Sequence, residues 1–181
     1  MPEKKLSEEA QWFLRNLQKI QEDFANELKM SMVLLNKEGK VIFPATLPAD
    51  PCKIIQSKEE GAKRCGNCYK DAVSAFTSGK IKAPLFLNCH ANFAAMVLPV
   101  ETKEGIIGAV VGCGGVYNEK DKERVLEIAE KEIGIPKEKL AGLVARLTPV
   151  SKEELQKRAE RLRKLINILA EETALSEVFE I

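Results

Sequence analysis

The chain has 181 residues, 45% hydrophobic and 30% charged, with 28 Lys and Arg against 27 Asp and Glu. That length suits one domain, or one domain with helical extensions, and the apolar content can fill its core. The even charge balance argues against nucleic acid as a direct partner, because phosphate binding draws on surplus Lys and Arg. No stretch approaches the ~20 apolar residues of a membrane span, and the charged start "MPEKKLSEEAQ" does not read as a signal peptide. The expected location is therefore the cytoplasm, where thiols stay reduced. The five cysteines, an odd count, there point to metal or redox chemistry rather than structural disulfides.

Residues 7–28 predict a helix: Ser7 as cap, Glu8 and Glu9 at its positive end, and a stripe of Phe13, Leu17, Ile20, Phe24 and Leu28. "SMVLLNKEGKVIF" reads as two strands joined by a turn at Asn36–Gly39. Prolines at 44, 48 and 51 predict a loop that ends at Cys52. Ser57 and Glu60 suit a capping box for a helix running to about Gly79, with Ala62, Cys65, Tyr69, Ala72, Val73 and Phe76 on its apolar side. Gly61 and Gly66 weaken its first turns, which leaves a loop or knuckle at "RCGNC" as the alternative.

"APLFLNCHANFAAMVLPV" and "GIIGAVVGCGGVY" read as long apolar strands joined by a hairpin-like turn at "ETKEG". A helix follows from near Asn118 to Gly134, stopped by Pro136, and a shorter one covers Lys137–Leu147. The last helix opens on a Ser151–Glu154 capping box and carries Leu155, Leu162, Leu165, Ile166 and Leu169, with Leu175, Val178 and Phe179 extending the stripe. Its partner is either the sheet, as a cover helix, or a second copy, as a coiled-coil stalk. Short turns between most strands favour an antiparallel sheet in an α+β domain, and a PAS-like core between flanking helices is the nearest match.

Four cysteines, Cys52, Cys65, Cys68 and Cys89, fall within residues 52–89. Four thiolates in tetrahedral array suit Zn²⁺ or a [4Fe–4S] cube, and residues three apart share one helix face. The alternative is that they are small buried hydrophobes, the reading first applied to Cys113 inside "VVGCGGV". The spacing matches no zinc finger or ferredoxin run, so it leaves the metal open. His90, the only histidine, follows Cys89 directly. In a strand the two would point to opposite faces. His90 then lines a ligand side or faces solvent, or becomes the fourth ligand after a kink if only three cysteines ligate.

Taken in order, Cys52 with "CKIIQS", "RC" at 64–65, Asp71, "CHA" at 89–91 and the glycine-rich "GIIGAVVGCGGVY" resemble the PocR-type sensory domain. The likeness spans about residues 10–175, with "CHANF" where "CHAGL" is more usual. It implies a PAS-fold variant found in transcription regulators, histidine kinases and chemoreceptors, sensing small molecules such as simple hydrocarbon derivatives. It also implies an output domain or partner protein not carried by this chain.

A dithiol oxidoreductase or electron carrier is the rival class, but the C-x-x-C pair here does not open a helix after a strand in a βαβ unit. "GCGG" lacks the G-K-[ST] of a phosphate loop, and one histidine assembles no Ser/His/Asp set. The expectation is therefore a cytoplasmic, non-catalytic, dimeric sensor with no nucleic-acid or membrane contact. Residues 1–30 would form an entering helix, 31–150 the sensor core and 151–181 a signalling and dimerisation helix. Cys52, Cys65, Cys68 and Cys89 would hold a [4Fe–4S] cluster, slightly favoured, or Zn²⁺. Beside them, His90, Phe86, Phe93, Met96, Cys113 and Asp71 would line a ligand pocket, with Phe86, Phe93 and Met96 shielding a cluster.

Overall fold

A computed structural model describes residues 6–46, 50–81, 83–103, 105–171 and 176–179. Ser7 caps the first helix, α1 (Glu8–Leu28), by accepting a hydrogen bond from the Ala10 N–H. Its stripe buries Phe13, Leu17 and Phe24 and partly covers Ile20 and Leu28. The chain then reverses at Asn36, whose Oδ1 accepts from the Glu38 and Lys40 N–H groups, and so joins β1 (Ser31–Asn36) to β2 (Val41–Thr46). Helices α2 (Asp50–Gln56) and α3 (Glu59–Thr77) lead to β3 (Leu85–Asn88), β4 (Ala94–Thr102) and β5 (Gly105–Gly115). The helices α4 (Glu119–Ile133), α5 (Lys137–Ala145), α6 (Lys152–Glu171) and α7 (Ser176–Phe179) complete the order.

The five strands pair antiparallel in the order β2-β1-β5-β4-β3, an α+β arrangement of PAS type. Side chains alternate between the two faces of a strand. Met32 and Leu34 of β1, Met96 and Leu98 of β4, and Val110 of β5 therefore join one core cluster with residues of α1, α6 and α7. Val33, Leu35, Val97, Ala109 and Val111 point the other way and pack with Val73 and Phe76 of α3. A third cluster ties α2, α4 and α5 to the β3–β4 turn through Ile55, Phe93, Val125 and Leu140.

Local signals placed α4 and α6 well. Asn118 and Asp121 form a reciprocal capping box, Gly134 ends α4 in the left-handed conformation, and Ser151 accepts from the Glu154 N–H. Helix α6 spends its stripe on the sheet: Leu155, Leu162 and Ile166 are buried, as are Val178 and Phe179 of α7. It is a cover helix. Leu165 is 38% exposed and leaves the stripe, and Leu175 lies outside the described residues. Among the described residues no helix is long and apolar enough to cross a membrane.

Three expectations need correction, and the alternative held open for "RCGNC" falls away. The run "APLFLNCHANFAAMVLPV" is two strands, because the chain turns at 89–93. The Ser57–Glu60 capping box does not form: Lys58 caps α3 without a side-chain bond, and Ser57 Oγ donates instead to the Ile54 carbonyl. "RCGNC" is no knuckle, since α3 runs unbroken through Gly66. Two residues expected in the proline-rich loop lie in regular elements. Pro44 sits within β2, an edge strand where a missing N–H is tolerated, and Cys52 lies inside α2.

Candidate functional site

The site lies where the second and third core clusters meet, between α2, α3 and the sheet. Helix α3 contributes Cys65, Cys68, Tyr69 and Ala72 from one face, as residues three, four and seven apart must. Helix α2 brings Cys52 and Ile55 against them. The two helices approach closely at Gly61, where a Cβ would lie 2.0 Å from the Ile55 carbonyl oxygen. Only glycine fits there.

The third wall is the β3–β4 turn. The Cys89 N–H donates to the Phe93 carbonyl and the Asn92 N–H to the Cys89 carbonyl, both at 2.8 Å. Asn92 adopts φ 66°, a left-handed conformation that Asn tolerates better than most residues. That is how "CHANF" makes the turn with Asn in the place of the Gly of "CHAGL". Asn92 is held further by donation to Asp121 Oδ1 at 3.3 Å. The turn removes the opposite-face argument for Cys89 and His90, and both line the same cavity.

That cavity has a volume of about 370 Å³. All five cysteines and the single histidine line it. Asp71 and Phe93 also line it. Phe86 and Met96 do not: they alternate to the α1/α6 face, where Met96 lies over Gly112, so neither shields the thiols. Cys113 corrects the first reading given to it, because it follows Val111 on the pocket side of β5 and takes part in the thiol network.

Within the cavity Cys65 Sγ shares a hydrogen bond with His90 Nε2 at 3.1 Å, while His90 Nδ1 is buried with no partner among the described residues. Burial pushes the Cys65 thiol up to about 12, reinforced by Cys89, Cys52 and Cys68 nearby. Burial also raises Cys68, opposed by donation from the His90 backbone N–H. Cys113 donates to Cys52 and Cys89, which raises its own pKa well above the ordinary thiol value. Cys89 is the exception. That bond from Cys113, together with the N–H groups of Ala91, Phe93 and Cys89 itself, holds its pKa below the usual value.

Burial keeps His90 neutral, lowering its pKa, and the Arg64 guanidinium adds to this. Arg64 is anchored outside the cavity, donating to Glu60 at 2.7 Å and to Glu132 at 2.6 Å, and so ties α3 to the end of α4. Chemically, then, the pocket offers five thiols, one of them held below the usual pKa, and one imidazole in an otherwise largely apolar wall. Among the described residues no three of His, Cys, Asp and Glu are grouped so as to hold a metal ion.

Sequence reasoning placed Cys113 beside the pocket but missed Tyr69 as a residue of its wall. Helical spacing from Cys65 was the signal that could have found it. The chain matches the family model described as the sensory domain found in PocR over residues 13–174. No curated protein and no solved structure matches it.

Proposed function

The chain belongs to the PocR sensory-domain family, and from that premise we propose that its signal is a small, mostly apolar molecule bound in the thiol-lined pocket. One observation carries the reading: every cysteine and the only histidine, drawn from α2, α3, the β3–β4 turn and β5, line one cavity of about 370 Å³. That volume falls near the lower end for small-molecule sites, roughly 300–1,000 Å³. Val33, Leu85, Val97 and Val111 would hold a hydrocarbon body, and His90 Nδ1 would meet a hydroxyl or carbonyl group on it.

Transmission would run through the sheet. Val97 of β4 faces the pocket while its neighbours Met96 and Leu98 face the helices α1 and α6, so a shift of β4 is felt on both sides. From there the signal would pass to a partner protein or a second copy of the chain. Trp12 on α1 and Leu165 and Ile168 on α6 are exposed for such a contact.

A cysteine-ligated centre, [4Fe–4S] or Zn²⁺, on Cys52, Cys65, Cys68 and Cys89 is the second reading. It is favoured by the four sulfurs lining one cavity and by backbone N–H donation to Cys68 and Cys89. It fits less well, because these donors are not grouped around a single ion, and no step is assigned to it.

Thermal unfolding of protein purified without oxygen tests both, run against short alcohols, diols and aldehydes. The pocket reading expects a saturable rise in Tm that is lost in Ala72→Leu, which fills the cavity from α3. No shift with any of them, in a colourless and metal-free sample, would remove both readings. A brown sample with broad absorbance near ~400 nm would favour the cluster.

A further inference from the structure

The cavity has a mouth, and a charge stands at it. Asp71 of α3 lines the space yet is exposed, and Leu87 of the edge strand β3 lines it while 37% exposed. The space therefore opens to water between α3 and β3, with Val97 and Val111 buried deeper on the sheet. Among the described residues Asp71 is the one carboxylate of this wall, and no Lys or Arg lines it.

Other acids on these helices are matched by a base one turn away, as Glu60 is by Arg64 and Glu154 by Arg158. Around Asp71 the positions three and four away hold Asn67, Cys68, Ser74 and Ala75, none of them basic. Among the described residues no hydrogen bond or ion pair reaches its carboxylate. An apolar cavity thus ends in one uncompensated negative charge, which attracts a cation and repels an anion.

We propose that the pocket selects a short alkylammonium ion, its head held at the mouth by Asp71 and its chain lying inward on Leu85, Val97 and Val111. The inference rests on the reading of this cavity as the sensing site and names the class of ligand it takes. The ammonium head stays in water, as a lysine head does when its stem lies on apolar surface, so the ion is not stripped of its hydration. Against a carboxylate of the same length, Asp71 sets like charge against like, and selection comes by repulsion as well as attraction. A rim pair between exposed groups is weak, so the gain over a neutral ligand is up to about fivefold. Salt screens such a pair and narrows the gain.

The test uses the full chain, reduced and at neutral pH, titrated with n-butylammonium, n-butanol and pentanoate, which share a butyl chain and differ in charge. Affinity is read from the concentration giving half of the saturable rise in Tm, with Ala72→Leu as the blank that fills the cavity. The ammonium ion should bind up to about fivefold tighter than the alcohol, the carboxylate weaker than both, and the ammonium lead should narrow from low to high salt. In Asp71→Asn the ratio of ammonium to alcohol affinity should fall to about one. Far-UV circular dichroism checks that this variant folds, and the salt dependence of the wild type decides the matter even where it does not. An alcohol that binds as tightly as the ammonium ion, a lead that salt does not narrow, or a ratio that Asp71→Asn leaves intact overturns the proposal. The cavity reading survives those outcomes, because the alcohol still binds. If none of the three binds, that reading falls and takes this inference with it.

Discussion

Gly61 offers a sharp check on how the pocket is built. It sits in the first turns of α3, where an added Cβ would lie 2.0 Å from the Ile55 carbonyl oxygen and 2.8 Å from its carbon. Both atoms belong to the backbone of α2, so no rotamer change relieves the contact, and Gly61→Ala must drive α2 from α3. Gly66 lies in the same helix, yet a Cβ there would meet nothing within 4 Å. Either substitution gains up to about 1 kcal/mol from removing a helical glycine. Only Gly61→Ala then loses roughly 1–3 kcal/mol to overpacking, and a rigid backbone puts it at the upper end.

Gly66→Ala should therefore stabilise by about 1 kcal/mol and Gly61→Ala destabilise by about 2, a gap of about 3 kcal/mol. In urea, with a slope of about 2 kcal/mol/M, the two midpoints should stand ~1.5 M apart. Far-UV circular dichroism reads this directly. If the Gly61→Ala midpoint rises together with that of Gly66→Ala, the close α2–α3 approach that sets Cys52 against α3 is wrong.

Two further outcomes follow from the packing and the charges. Phe179 of α7 is buried, 6.5 Å from the Phe13 ring centroid to centroid and against Gly108, so Phe179→Ala should cost about 3 kcal/mol or more and lower the Tm. An unchanged Tm would mean that α7 is no part of the core. Burial lowers the His90 pKa below its ordinary 6.5, so the unfolded chain takes up a proton there before the folded one does. This contribution to stability is present above the unfolded value and is lost as pH falls from about 6.5 toward the lower folded value. Urea midpoints across that range should fall more steeply for the wild type than for His90→Asn, and parallel curves would contradict a buried neutral imidazole.

Much of the fold was legible because its signals are local. Ser7, the Asn118 box with Gly134, and Ser151 each satisfy helix ends through neighbours within a few residues, and the stripes of α1 and α6 repeat at helical spacing. The C-x-x-C pair was legible for the same reason, since three residues along a helix return to one face. Elements misread from sequence depend on partners distant along the chain or on a single backbone angle. Asn92 at φ 66° splits one apolar run into β3 and β4, and by doing so brings Cys89 and His90 to one side. Register then sends Met96 over Gly112 and away from the cavity, while Cys113 faces into it.

Sequence by itself determined that helices flank an antiparallel sheet and that unusual thiols must do something together, because residue type and spacing alone set periodicity, caps and soft-donor chemistry. Which thiols meet was left to tertiary structure. Strand pairing and the α2–α3 contact join residues as far apart as Cys52 and Cys113, and no spacing rule reaches across that distance. The gathering of all five cysteines and His90 around one cavity is a consequence of packing.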